Sequence, residues 1–108
     1  MSDDLNSNEE LAVGIRDKLN TEAGKLEWHE LERFFAKGAV IRVHASLDLI
    51  DVAASMVEDE AAKITDWKEQ GLIGSPADKE VIVWVEAKPL FWAVVIAPWI
   101  VVQEISSE

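Results

Sequence analysis

The sequence predicts an α+β fold, a small sheet of about three strands covered by helices. Three observations predict it. Apolar residues recur at steps of three and four over long stretches before Gly71. Residues 39–45 switch to an alternation of period two. The C-terminal stretch LFWAVVIAPWIVVQE is apolar almost throughout and rich in β-branched residues, and Pro98 breaks it.

The elements follow in order. Residues 1–8 lack periodicity and are expected to be a disordered tail ahead of a single domain over 9–105, with 106–108 a second short tail. Leu11, Ile15 and Leu19 predict a helix near 9–19. A break is expected in LNTEAGKLEW, where Asn20 or Thr21 can cap a new helix and Gly24 would cost about 1 kcal/mol inside one. Trp28, Leu31, Phe34 and Phe35 predict a helix near 28–37, which Gly38 stops after the basic Lys37.

A strand is expected near 39–44. Ala39, Ile41, Val43 and Ala45 fall on one face; Val40, Arg42 and His44 fall on the other. Ser46 is the expected cap of a helical stretch near 47–70, striped by Ile50, Ala53, Ala54, Val57, Ala61, Ile64 and Trp67. That stripe suits one long helix or two joined near Glu58-Asp59-Glu60. Residues 76–88 read as helix despite the strand propensity of VIVWV. Ser75 as cap, Pro76 at the first position, Asp78 in the first turn and Pro89 beyond the end outweigh it. Strands near 91–97 and 99–105 then meet at a tight turn holding Pro98; a single edge strand bent there is the alternative.

Composition narrows the function classes. With 21 acidic against 10 basic residues the net charge is -11, the wrong sign for a phosphate backbone or an anionic membrane surface. A basic protein partner is compatible with it. The absence of Cys removes disulfides, thiolate nucleophiles and zinc ribbons. The opening MSDDLNSNEE lacks the basic start and apolar run of a signal peptide, and no apolar run reaches the ~18 residues of a spanning helix. The expected location is cytoplasmic.

WHELERFFAKG, SLDLIDVA, Asp59 and Trp67 within EDEAAKITDW, and above all WAVVIAPWIVVQ resemble the bacterial domain of unknown function 2288 family, from about Leu19 to Gln103. The resemblance implies one bacterial domain and carries no activity, cofactor or catalytic residue. Arg42 and His44 depart from the less basic pair expected at those positions, so a role built on them would belong to this chain alone.

Candidate sites are few. His29 lacks a second His four residues on, where Arg33 stands, so a helical zinc motif fails. The run 58–60 spreads three carboxylates around a helix and fits no calcium loop. Nucleophile elbows, phosphate-binding loops and dinucleotide fingerprints are missing from the sequence. No catalytic residue, metal ligand or cofactor is therefore assigned. Arg42, His44 and Ser46 form the best candidate ligand site, a strand end facing a helix start where a small anion could be held, although Asp48 and Asp51 oppose an anion there. The leading functional expectation is a non-enzymatic, self-associating interaction module. Both faces of 91–105 are apolar, Val95 included, and a domain this small is expected to cover one face fully and leave the other to a partner. A homodimer is expected, with Trp92, Pro98, Trp99 and Val101 at its interface and Trp99 as anchor.

Overall fold

The computed structural model describes residues 14–105. The expected tails at 1–8 and 106–108, and residues 9–13 of the first expected helix, lie outside the described residues. Helix α1 covers residues 14–22. It runs through Asn20 and Thr21, which therefore start no new helix; the Thr21 hydroxyl donates back to the Asp17 carbonyl at 2.9 Å. Gly24 does not sit in a helix either. It opens β1 (Gly24–Glu27), a strand whose residues GKLE include no β-branched side chain to announce it. Helix α2 (Trp28–Ala36) follows without a loop. The Glu27 N–H donates to the Glu30 carboxylate at 2.8 Å, satisfying one of the donors left free at a helix start.

Strand β2 (Val40–Val43) comes next. The stretch expected as one or two helices is two, α3 (Leu49–Val57) and α4 (Ala61–Glu69). Asp48, not Ser46, caps α3: its carboxylate accepts the Ile50 N–H at 2.8 Å. Ser46 lies too far upstream and bonds to His44 instead. Strand β3 (Ile73–Gly74), only two residues long, is the second strand the sequence pattern did not predict. VIVWV is helical, in α5 (Asp78–Ala87). Its N-cap position belongs to Ala77 rather than Ser75, and the Glu80 carboxylate accepts the Ala77 N–H at 3.0 Å. Strands β4 (Leu90–Ile96) and β5 (Trp99–Glu104) form a hairpin with Pro98 in its turn, after a cis peptide bond from Ala97.

The sheet has five strands, not about three, in the order β1-β4-β5-β2-β3. β2 and β5 run parallel, Val40 opposite Ile100 and Arg42 opposite Val102. Every other pairing is antiparallel. The two unpredicted strands are its edges, where short strands expose little backbone to stray pairing.

Both sheet faces are covered. On one, Leu19 of α1 and Leu49, Val52, Ala53 and Ala54 of α3 pack on Val43, Ile73, Val94 and Val101. On the other, Trp28 and Leu31 of α2 and Trp84 of α5 pack on Val40, Phe91, Ala93, Ile100 and Val102. The second layer is aromatic at its centre. Trp84 meets Phe91 edge-on at 4.9 Å between ring centroids, and Trp28 lies 5.4 Å from Trp84. Burying a side chain such as Phe91 completely contributes about 1.5–3 kcal/mol. The greasy C-terminal segment is thus buried mainly by its own domain: Phe91, Ala93, Val94, Ile100, Val101 and Val102 are all core. Leu90, Trp92, Trp99 and, most of all, Val95 are exposed, against the expectation that Val95 is core. Val95 lies at the hairpin end, outside both clusters, and is 59% exposed. Arg16 of α1 donates to the Asp51 carboxylate of α3, a hydrogen bond that holds the guanidinium pKa above its ordinary value. Among the described residues no helix is long and apolar enough to cross a membrane.

Candidate functional site

The parallel pair β2 and β5 ends at one rim of the sheet, and open α/β sheets favour ligand crevices at carboxyl ends of parallel strands. A cleft of about 210 Å³ opens there, lined by Arg42, His44, Glu80, Trp84, Gln103 and Glu104 among others. Two of the three predicted ligand residues, Arg42 and His44, line it; Ser46 touches it only through His44.

Each side chain already has structural work. Arg42 Nε lies 3.2 Å from Glu80 Oε2, an ion-pair distance without hydrogen-bond alignment, and Arg42 Nη1 reaches the Gly71 carbonyl at 3.4 Å. It ties β2 to the start of α5 and to the turn after α4. The Ser46 N–H donates to His44 Nδ1 at 3.0 Å, and the Ser46 hydroxyl lies 2.9 Å from the same nitrogen. A backbone N–H can only donate, so Nδ1 is an acceptor and neutral His44 carries its proton on Nε2. Gln103 spends both amide hydrogens on the carbonyls of His44 (2.9 Å) and Leu47 (2.7 Å), fixing the loop between β2 and α3. Trp84 Nε1 donates to Glu104 at 3.1 Å. Two carboxylates, Glu80 and Glu104, therefore share the cleft with the single guanidinium, and its electrostatics turn against an anion. Among the described residues no three His, Asp or Glu side chains converge as metal ligands.

The surface offers a second kind of site. Of the predicted interface residues, Val101 is wholly buried between β4 and β2 and is out of a partner's reach. Trp92, Pro98 and Trp99 stand at the surface, the two indoles 40% and 41% exposed. Both indoles also pack within the chain. Lys25 Nζ sits 5.3 Å from the Trp92 ring centroid. Trp99 walls a groove of about 330 Å³ with Ile41, Met56, Ile64 and Ile73.

Helix α5 differs. Trp84 points inward and is buried, whereas Ile82, Val83 and Val85 are between 51% and 60% exposed. A helical stretch apolar on all sides, as residues 81–85 are, ordinarily lies inside a protein. Sequence reasoning missed this surface, although its signal was present. Once VIVWV is read as helix, five consecutive apolar side chains point in all directions, and one domain core takes only the inward ones.

Comparison with known proteins places these features in a wider set. A model of the family described as "Protein of unknown function (DUF2288)" matches residues 14–104. A solved structure, the NMR solution structure of PA1075 from Pseudomonas aeruginosa, is similar to the chain at 36% identity, over 87% of each chain, with a TM-score of 0.75. No curated protein matches.

Proposed function

The chain belongs to the DUF2288 family, whose description carries no activity; from that premise we propose that it is a non-enzymatic protein-interaction module that works as a homodimer. One observation carries the reading. Among the described residues eight large apolar side chains are substantially exposed, including Ile82, Val83 and Val85 on α5 and Trp92, Val95 and Trp99 on the hairpin. Contiguous apolar surface is a signature of partner binding, and Ile82 and Val83 adjoin on the outer side of α5. The polar cleft at the ends of β2 and β5 supports the same reading, because Arg42, Glu80, Gln103 and Glu104 are each engaged in bonds that hold the fold.

Association must come from apolar burial. A copy carrying -11 charges repels another at long range, and repulsion weakens beyond the ~8–10 Å Debye length of physiological salt. At about 25 cal/mol per Å² of apolar area, even a modest interface offsets part of the entropy lost on association. The test is light scattering at tens of micromolar. It is expected to give twice the 12.0 kDa chain mass. A single species at the chain mass would overturn the proposal.

A further inference from the structure

We propose that the outer face of α5 is the seam of that homodimer, two copies of the helix packing antiparallel across a two-fold axis. The inference rests on the homodimer reading and names its surface. Lys79, Ile82, Val83 and Glu86 stand at positions i, i+3, i+4 and i+7, so they share one face of the helix. That face is opposite the buried Trp84, and all four residues are exposed.

The face is self-complementary. In an isologous pair, a contact between residue i of one copy and j of the other is repeated with the copies exchanged. An antiparallel crossing centred between Ile82 and Val83 sets Ile82 against the partner's Val83. The same register sets Lys79 against the partner's Glu86, and it does so twice. Seven residues separate Lys79 from Glu86, about 10 Å along the axis, too far for a direct ion pair within one helix. Neither side chain forms an ion pair with any other described residue. The apolar centre thus has a charged residue of opposite sign at each end, placed to select a second copy in the antiparallel sense.

The area argument sets the strength. α5 has ten residues and is about 15 Å long, so its face alone falls short of the ~800 Å² per partner of a standard interface. The surface continues over Val85 and Lys88 into a cleft of about 470 Å³ shared with Glu27, Trp28, His29 and Glu32 at the start of α2. A dimer at the weak end of the range, dissociating at micromolar concentration, fits that extent.

Charge exchange tests the seam. Lys79→Glu sets two pairs of carboxylates face to face, and Glu86→Lys sets two pairs of ammonium groups face to face. Each is expected to raise the dimer Kd roughly tenfold or more. The double variant restores opposite charges and is expected to recover the parent Kd. An equimolar mixture of the two single variants is expected to form a heterodimer, since both of its cross-pairs are again attractive. The exchanges put negative charge nearer the helix start and positive charge nearer its end, which suits the helix dipole, so α5 is retained. Ile82→Ser is an uncharged second probe, expected to weaken the dimer with the thermal melt still cooperative. If the parent is a dimer and neither charge variant shifts its Kd, the α5 seam is overturned while the homodimer stands. The seam is overturned in the same way if a folded Trp99→Glu variant is monomeric and the charge variants are not. A monomeric parent overturns both.

Discussion

Within β4, two neighbouring valines have opposite fates. Val94 is 1% exposed, packed among Val43, Val52 and Val101; Val95 points away from that cluster into solvent. Val94→Asp is expected to unfold the domain or nearly so. An unpaired carboxylate in an apolar core costs several kcal/mol, against ~5–15 kcal/mol of total stability. Val95→Asp is expected to cost less than about 1 kcal/mol, chiefly lost β-propensity. Chemical denaturation of both variants checks the contrast, and equal losses would place Val95 in the core. At this scale the sequence shows alternation but not where cover ends. Period two puts Phe91, Ala93 and Val95 on one face correctly. Only tertiary contacts reveal that the aromatic layer takes Phe91 and Ala93 and leaves Val95 out. The cap of α3 is hard to read for a related reason. Ser46 and Asp48 are both good caps, and spacing alone does not decide which residue the first turn selects.

Three helices end in the same way, and only two announce it. After α2 the Gly38 N–H donates to Phe35 and the Ala39 N–H to Phe34; after α4 the Gly71 N–H donates to Lys68 and the Leu72 N–H to Trp67. After α3 the Asp59 N–H donates to Met56 and the Glu60 N–H to Ser55. All three are Schellman closures with a left-handed residue at the turn, φ 69° at Gly38, 75° at Gly71 and 56° at Asp59. The two glycines are legible as stops. Aspartate is a weaker signal, so the stretch 47–70 reads as one helix or two; of its expected stripe Ala53 and Ala54 are core and Ile50, Ile64 and Trp67 half-buried, whereas Val57 and Ala61 are exposed and the stripe omitted the buried Leu49 and Val52. Gly in place of Asp59 removes the Cβ penalty of the left-handed region, partly offset by greater freedom of the unfolded chain. Asp59→Gly is therefore expected to stabilise the domain by about 0.5 kcal/mol, a rise of a few degrees in Tm. A fall in Tm would mean that the Asp59 side chain makes a contact worth more than the strain. The helices are legible from their period and the central strands from their β-branched residues, which VIRV of β2 has and GKLE of β1 lacks at the same length. β1 has a single large apolar residue, Leu26, and β3 has only two residues, and their pairing partners β4 and β2 lie far along the chain.

For the molecule as a whole, helices on both sides of the sheet bury the centre of the C-terminal hairpin, and the apolar excess emerges on α5 and on the hairpin's outer residues Leu90, Trp92, Val95 and Trp99. The expectation of one bare sheet face fails because two helical layers, not one, fit around five narrow strands. The candidate cleft is legible as Arg42 and His44 at a strand end. Its carboxylates are not, since Glu80 and Glu104 reach it from distant segments. Charge then governs how the folded chain responds to solvent. Against 21 acidic residues in the sequence, the ion pairs among the described residues are Arg16–Asp51, Arg42–Glu80 and, when His29 is protonated, His29–Glu27. Unpaired carboxylates held close together repel, and folding brings them closer than the open chain does. Raising NaCl from about 0.05 to 0.5 M shortens the screening length well below 10 Å and relieves that repulsion more than it weakens three pairs. The Tm is expected to rise over this range, and the dimer to tighten, because the monopole repulsion between two copies outweighs the two Lys79–Glu86 contacts across the seam. Calorimetry and light scattering along one salt series measure both. A Tm that falls with salt would show that local ion pairs, not net charge, dominate the electrostatics of the fold.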